Sequence, residues 1–333
     1  MNRYHLVHVT EFRYDGPVSE SYNEVRLRPI HDEKQSCLSF RLGISPAVQS
    51  VAYRDAFDNW VHQFSVSVPH RYLRVEGESV VLAHDPTPLP ADGCSLADLD
   101  SRKDALLEDH YDFLAPTDYV PHLQQLRELV QAAEQSCDGT LLGFVQAASG
   151  LIHQKFQYVK GATHVHSSVE DSLRLGAGVC QDFAHLFLGV IRMRGVPGRY
   201  VSGYLVPTPA EEGKQNVEEV VGGQASHAWA EAYLPTGGPT SGWIALDPTL
   251  GKPVGPRHVR VACGRDYGDV APVRGVYKGH AGQRLSVDVR VRPALDVDGR
   301  EQLDGPAAGP AEPEHTDLPQ QPVEREQQQQ QQQ

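Results

Sequence analysis

A cysteine that follows a glycine-rich turn, at the start of a helix-like segment, is the residue best placed for chemistry. The segment 176–180 reads Gly-Ala-Gly-Val-Cys, and the residues after Cys180 are apolar at helical spacing. Cys180 is therefore expected in the first turn of a helix. The free backbone N–H groups and the positive end of the helix dipole favour a thiolate there, and the same N–H groups could hold an oxyanion. The alternative is a buried structural cysteine, since a lone cysteine defines no site.

Two residues further along the chain supply the partners that a nucleophilic thiol requires. Residues 225–233 alternate small and large side chains, as a strand does, and place His227 and Trp229 on one face. Asp247 ends the next strand-like run, and the short connection makes the two strands antiparallel neighbours. We therefore expect His227 to lie level with Asp247. In such a triad Cys180 attacks an acyl carbon, His227 transfers the proton and Asp247 fixes the imidazole tautomer.

The other histidines do not indicate a metal or a cofactor. His164 and His166 are separated by one residue, but no third ligand lies at a recognisable spacing. His185 follows Cys180 by five residues on the same helix, which rotates it around the axis, so we expect it to pack or to face solvent. We predict no metal site and no cofactor.

Composition limits the partners and the location. The chain has 333 residues, 40% of them hydrophobic, and a formal net charge of −13 without a cluster of lysine and arginine. This argues against nucleic acid as a partner. There is no apolar run of membrane-spanning length, and the five cysteines are scattered without CxxC spacing. We therefore predict no membrane partner, reduced thiols and a cytoplasmic location.

The hydrophobic periodicity changes along the chain and predicts four regions. Residues 1–83 form a β-rich domain, 84–118 a proline-rich linker, 119–293 a core with C-terminal strands, and 294–333 a disordered tail rich in proline and glutamine. The N-terminal strand-like segments suggest an antiparallel sandwich; they are Tyr4–Tyr14, Ser21–Arg28, Ser36–Ile44, Val48–Tyr53, Asn59–Val66 and Tyr72–Leu82. In the core, helices precede strands, which is an α+β arrangement. A polar loop from Pro207 to Gln224 is either a lid or a plain surface excursion.

Three separated blocks resemble the core of bacterial transglutaminase-like proteins. The blocks are GVCQDFAH at 178–185, SHAWAE at 226–231 and WIALDPT at 243–249. Three further blocks resemble the N-terminal and C-terminal regions of the same family: YDGPV at 14–18, NEVRLRP at 23–29 and GDVAPVRG at 268–275. The resemblance covers about residues 1 to 290. It implies a papain-like α+β core, with helices packed on an antiparallel sheet, and Cys180, His227 and Asp247 as the triad.

The resemblance does not decide the reaction, because the superfamily contains transglutaminases, cysteine proteases or amidases, peptide N-glycanases and inactive scaffolds. An amine that resolves the thioester gives transamidation, and water gives hydrolysis. Animal-type transglutaminases place a tryptophan shortly before the cysteine, whereas the three tryptophans here are Trp60, Trp229 and Trp243. Tyr158 is a substitute oxyanion donor or else a strand-edge aromatic.

We predict a cysteine protease or amidase that acts on a peptide or protein. The sequence has neither a calcium-type acidic loop nor the paired CxxC zinc site of the glycanase branch, which favours a hydrolase. A protein-glutamine γ-glutamyltransferase with the same triad is the alternative. A non-catalytic peptide-binding module is the third reading, which the complete triad disfavours. Further candidates for the oxyanion hole or the cleft are Gln181, Trp229 and Trp243, and Asp182 is expected to cap the helix.

Overall fold

Alternating apolar and polar residues give the first 83 residues their strands, and most of these strands bury one face. A computed structural model describes residues 2–85, 94–207, 226–235, 242–294 and 326–329. The N-terminal strands are β1 Asn2–Val18, β2 Glu20–Val25, β3 Gln35–Ser45, β4 Val51–Arg54, β5 Trp60–Val66 and β6 His70–Ala83. Each coincides with one of the six predicted segments.

Helices occupy much of residues 96–194. They are α1 Leu96–Ser101, α2 Lys103–Asp109, α3 Leu126–Ser136, α4 Leu141–Lys155, α5 Val169–Leu175 and α6 Cys180–Arg194, and a single turn, α7 Tyr267–Val270, follows later. The first two lie in the stretch predicted to be a linker, and they bury Leu99 and Leu106 in the main hydrophobic core. That part of the linker is therefore packed structure, whereas residues 86–93 are outside the described residues. Among the described residues, none of the helices combines the length and the apolar composition that a membrane span requires.

The core has helices on one side of an antiparallel sheet, which is the predicted α+β arrangement. The remaining strands are β7 Gln157–Tyr158, β8 Ala177–Gly178, β9 Gly198–Leu205, β10 Ser226–Leu234, β11 Gly242–Asp247, β12 Lys252–Pro253, β13 His258–Gly264, β14 Val273–Lys278, β15 Gln283–Pro293 and β16 Glu326–Gln329. The core sheet has the order β12-β11-β10-β9-β13. Helix α6 packs on β10, whose buried residues Ala228, Ala230 and Ala232 allow a close approach. Helices α3 and α4 pack against α6.

Both ends of the chain build the N-terminal domain. Its sheets have the orders β15-β1-β6-β3 and β16-β14-β2-β5-β4, and the two sheets enclose a second hydrophobic core. Tyr4 pairs with Pro293, and Val25 with Val273. The C-terminal strands thus belong with this sandwich rather than with residues 119–272, because pairing between distant segments leaves no local sequence signal. Within the tail predicted to be disordered, β16 is a strand paired with β14; residues 295–325 and 330–333 lie outside the described residues.

Two amide side chains of the N-terminal domain hold β13, the edge strand of the core sheet. Asn59 donates from Nδ2 to the carbonyl of Cys263 at 2.7 Å and accepts its N–H at 2.8 Å. Gln35 likewise donates from Nε2 to the carbonyl of Arg260 at 2.8 Å and accepts its N–H at 2.8 Å. Each amide supplies the two hydrogen bonds that a neighbouring strand would make. Strand β13 is therefore fixed by β9 on one side and by the N-terminal domain on the other.

Candidate active site

Cys180 is the first residue of α6, and two glycines shape the turn before it. Gly176 has a φ of 63°, a left-handed conformation that suits glycine, and ends α5. A Cβ on Gly178 would lie 2.6 Å from Asp182, so the close approach of the turn to the helix requires glycine there. Cys180 itself is only 5% exposed. Its place at the helix start agrees with the prediction, and its backbone N–H has no partner from a preceding helical turn.

Asp182 fastens the start of the helix. Its carboxylate accepts the N–H of Val179 at 2.7 Å and the hydroxyls of Thr163 at 2.5 Å and Ser172 at 3.1 Å. Burial raises the pKa of Asp182, an effect that these three hydrogen bonds oppose. The capping role predicted for Asp182 is the one it has in the structure. Through Thr163 it also ties the segment after β7 to the helix.

His227 and Asp247 meet across β10 and β11, although not directly opposite each other. Ala230 pairs with Leu246, so one step further along the ladder Asp247 faces Trp229 rather than His227. The carboxylate reaches diagonally, and its Oδ2 lies 2.7 Å from His227 Nε2. Both side chains are almost completely buried. The predicted pair therefore forms with a register shifted by two residues.

The second contact of His227 is with Cys180, which completes the arrangement of the three side chains. The imidazole hydrogen-bonds to Cys180 as well as to Asp247. Burial by itself lowers the pKa of His227, but Asp247 and Cys180 together raise it well above its usual value. Burial raises the pKa of Asp247, but its contacts with His227 and His258 outweigh this and hold that pKa far below the usual range. At neutral pH Asp247 is thus ionised and His227 is protonated, so a positively charged ring lies beside the sulfur of Cys180.

Replacing His227 by alanine should move the alkylation of Cys180 to higher pH, because the thiolate loses its imidazolium partner. We expect the pH at which the reaction with iodoacetamide is half-maximal to be higher in His227→Ala than in the native protein. The rate at Cys180 would be followed by mass spectrometry across pH. His166→Ala, which removes an exposed histidine, is the matched control and should leave the profile in place. Superimposable profiles for His227→Ala and the native protein would exclude His227 as the partner.

A second histidine bound to Asp247, His258, was not predicted from the sequence. His258 is the first residue of β13, and its Nε2 lies 3.1 Å from the same Oδ2 that contacts His227. The other carboxylate oxygen, Oδ1, accepts the N–H groups of Thr249 at 2.9 Å and Leu250 at 3.2 Å. Sheet order separates β13 from β11 by two strands, so no spacing in the sequence indicates this contact.

His227, Asp247 and His258 form the one group of possible metal ligands among the described residues, with ligand atoms within 4.8 Å of one another. The Nδ1 atom of His258 accepts the N–H of Gly255 at 3.2 Å, so a neutral ring carries its proton on Nε2. Coordination through Nε2 would move that proton to Nδ1, against the Gly255 N–H. The donors therefore fit a hydrogen-bonded cluster better than a metal site. His164 and His166, whose rings lie 6.1 Å apart, are both exposed.

Tyr158 lies beside the start of α6. In the parallel pair of β7 and β8, Tyr158 is the partner of Gly178, two residues before Cys180. Burial is the main cause that raises the pKa of the Tyr158 phenol, and the charges of Cys180, Asp182 and Asp247 raise it further. The hydroxyl is therefore protonated at neutral pH, and it lies close enough to Cys180, Asp182 and Asp247 to interact with their charges.

The other candidates from the sequence are placed less favourably. Gln181 is buried, and its amide donates to the carbonyl of Val165 at 3.2 Å, which ties the side chain to a loop. Trp229 is buried with its ring centre 6.2 Å from that of His227, so it packs beside the site. Trp243 lies near the opposite end of β11 from Asp247, where the guanidinium of Arg199 stacks on it at 4.3 Å. The structure thus does not bring Trp243 to Cys180.

Two further expectations concern His185 and the polar loop. His185 is completely buried rather than at the surface, and its Nε2 accepts the N–H of Tyr267 at 3.1 Å. Burial lowers the pKa of His185 to about 3, so it packs as a neutral ring. The loop from Pro207 to Gln224 lies, apart from Pro207, outside the described residues.

Comparison with known proteins agrees with this fold. Residues 4–82 match the bacterial transglutaminase-like N-terminal region, and residues 127–248 match the transglutaminase-like superfamily. The chain belongs to the transglutaminase-like superfamily. An uncharacterized protein of Mycobacterium leprae is 35% identical over 291 residues, which are 87% of this chain and 99% of the relative. An uncharacterized protein of Mycobacterium tuberculosis strain H37Rv is 32% identical over 301 residues, 88% of this chain and 93% of the relative.

A solved structure has the same fold. The protein, from Cytophaga hutchinsonii and provisionally named a cysteine protease, superposes with a TM-score of 0.65 at 21% identity. The match covers 89% of this chain and 92% of that protein.

Proposed function

We propose that this protein is a cysteine-dependent acyl-transfer enzyme that hydrolyses peptide or amide bonds, with Cys180, His227 and Asp247 as its catalytic residues. One observation carries the proposal: a cysteine at a helix N-terminus hydrogen-bonds a histidine whose other ring nitrogen lies 2.7 Å from a buried aspartate. Helix start, base and orienting carboxylate are the three parts that a nucleophilic thiol requires. Membership of a superfamily that usually contains cysteine-based enzymes supports it.

The reaction has two halves. In the first, the Cys180 thiolate attacks the carbonyl carbon of the substrate, and the charge on the carbonyl oxygen is received by the N–H at the start of α6 and by the hydroxyl of Tyr158. The imidazolium of His227 then gives its proton to the departing amine, and a thioester remains on Cys180. In the second half, His227 removes a proton from water while the water oxygen attacks the carbonyl carbon of the thioester. The carbon–sulfur bond then breaks, which returns the Cys180 thiolate and releases a carboxylic acid. Asp247 keeps the ring of His227 in the required orientation throughout.

Transamidation shares the first half and differs only in the acceptor. If a primary amine rather than water attacks the thioester, the protein is a protein-glutamine γ-glutamyltransferase, which is the alternative function that the sequence analysis gives. The substrate class is the same in both cases, a peptide or protein. The cytoplasm is the proposed compartment, because its reducing conditions keep the nucleophile a free thiol.

Mass spectrometry of a peptide library separates these reactions. The purified full-length protein is incubated with glutamine-containing peptides and an excess of a small primary amine in water enriched in ¹⁸O, with Cys180→Ala as the matched blank. We expect cleavage or deamidation with ¹⁸O in the new carboxylate, only with the native protein. Amine incorporation at glutamine would replace the hydrolase with the transglutaminase. No Cys180-dependent product would contradict both and favour a peptide-binding module.

A further inference from the structure

Every acceptor position of the Asp247 carboxylate is occupied. Oδ1 accepts the backbone N–H groups of Thr249 and Leu250, whereas Oδ2 lies 2.7 Å from His227 Nε2 and 3.1 Å from His258 Nε2. A carboxylate offers about four lone-pair positions, two on each oxygen. His258 is therefore the fourth hydrogen-bond donor to the Asp247 carboxylate, although the proposed mechanism requires this carboxylate to orient only one imidazole, that of His227.

The hydrogen bonds of His258 fix which of its nitrogens carries the proton. Nδ1 accepts the N–H of Gly255 at 3.2 Å, so the lone pair of the ring points at Gly255 and the proton is on Nε2. Burial is the largest cause that lowers the pKa of His258, and the charge of His227 lowers it further, against the opposing effect of Asp247. The ring is consequently neutral at neutral pH and donates its single N–H to Asp247.

The position of His258 is fixed by the packing around it. The ring lies edge-on to Trp229, with 5.2 Å between ring centres. His258 begins β13, and that strand is held on its outer side by Gln35 and Asn59 of the N-terminal domain. The imidazole cannot turn away without breaking the Gly255 contact or moving β13. Because Gly255 and the position of β13 fix the ring of His258, its Nε2–H can in turn fix the Asp247 carboxylate.

We propose that His258 is a positioning residue for the acyl-transfer reaction: its Nε2–H fixes the Asp247 carboxylate in the orientation that aligns His227 with Cys180. This inference rests on the proposed function for its catalytic meaning, and its geometry is independent of the substrate. Sharing Oδ2 has a second effect, because an oxygen that accepts two N–H groups gives less of its charge to each. His227 must release its proton to the leaving amine, and His258 thereby limits how tightly Asp247 retains that proton on the ring.

The groups that titrate around the carboxylate come from four elements. His227 faces it from β10, His258 from β13 and Tyr158 from β7, while Cys180 at the start of α6 acts through His227. Tyr158 stays neutral below alkaline pH because its pKa is raised. A substitution of His258 is therefore expected to change mainly the titration of His227.

Two substitutions of His258 distinguish the effect of its N–H donor from the effect of the volume of its ring. In His258→Gln the side-chain amide can place an N–H where Nε2–H stood, whereas His258→Leu keeps an apolar side chain of comparable size without a donor. Both are made in the full-length protein, labelled with ¹⁵N-histidine, and compared with the native chain. Long-range ¹H–¹⁵N spectra report the tautomer and titration of each ring. Steady-state kinetics and the pH profile of Cys180 alkylation are measured on the same samples.

In the native protein we expect His258 to be a neutral ring with its proton on Nε2. In His258→Leu we expect the titration of His227 to move upward by about one pH unit, because Asp247 Oδ2 then serves one imidazole alone. kcat should fall about tenfold with KM little changed, since the carboxylate loses one of its four anchors. His258→Gln should restore both values to near the native ones.

A proton on Nδ1 of His258 would overturn the proposal, as would a His227 titration that is the same in all three proteins. Equal losses of kcat in both variants without a pH shift would reduce His258 to a packing residue. If His258→Leu fails to fold, the native tautomer and His258→Gln decide the question. If the protein turns over no peptide, the proposed function fails, but the spectra and the alkylation profiles still test His258.

Discussion

Cys180→Ala should abolish turnover and leave the fold unchanged. Without the thiol no thioester forms, and the loss of a nucleophile from a triad lowers kcat by about four orders of magnitude or more. Because Cys180 is almost completely buried, the substitution leaves a small void. We expect the cost to be only a few degrees in Tm, since one sulfur atom is lost and α6 keeps its cap from Asp182.

The measurement pairs the peptide library assay with circular dichroism and thermal unfolding of the same preparation. Cys137→Ala is the matched control, because it removes a half-buried thiol at the end of α3, outside the site. That control should keep full activity. A Cys180→Ala protein that retains Cys-independent cleavage would show that the triad is not the reacting centre.

Asp247→Asn should lower kcat by about four orders of magnitude through a change of tautomer rather than a loss of structure. The asparagine Oδ1 can still accept the N–H groups of Thr249 and Leu250, but its NH₂ group then faces two imidazole N–H donors. His258 is held by Gly255 in its tautomer, so His227 is the ring that changes. Its proton moves to the nitrogen facing Cys180, where the ring can no longer accept the thiol proton.

Kinetics and histidine spectra of Asp247→Asn check this reasoning together. We expect the neutral ring of His227 to carry its proton on Nδ1 in the variant. The alkylation of Cys180 should need a higher pH, as in His227→Ala. Activity within tenfold of the native protein would contradict the orienting role of Asp247.

The same substitution should flatten the dependence of stability on acid pH. The pKa of Asp247 is depressed in the folded protein, so its ionised form contributes stability above about pH 4 that is lost as the pH falls through the folded-state value. The pKa of His227 is raised, so its contribution is full below about pH 6.5 and is lost as the pH rises through its folded-state value. Asparagine removes the first contribution and the part of the second that Asp247 supplies, whereas the part that comes from Cys180 remains. Urea unfolding at several pH values would show the difference.

Much of the arrangement of the candidate site was predictable, because it depends on local sequence patterns. Alternation gave the six N-terminal strands, and a glycine turn before an apolar helix placed Cys180. His227 and Asp247 came from two consecutive strands with a short connection, a case in which neighbouring in sequence means neighbouring in the sheet. Even there the register was off by two residues, because the ladder is set by packing and not by the length of the connection.

What could not be predicted depends on contacts between distant segments. His258 reaches Asp247 from a strand that is not its neighbour in the sheet, and nothing in the local pattern around His258 indicates it. Trp243 shares the WIALDPT block with Asp247, yet it lies near the other end of β11, since four residues of extended chain span about 13 Å. Helices α1 and α2 were not predicted, because the proline-rich segment before them led us to assign residues 84–118 to a linker.

The joining of both chain ends in one sandwich sets the order in which this protein can mature. Strand β1 has β6 on one side and β15 on the other, so its sheet stays open on one edge until the ribosome has released residues 283–293. Helix α6 and the strands that carry Cys180, His227 and Asp247 are synthesised earlier, but the sandwich that clamps β13 is finished last. Long-range pairing of this kind forms slowly. We therefore expect Cys180, His227 and Asp247 to remain unaligned in the nascent chain until residues 283–293 have been synthesised and have paired with β1.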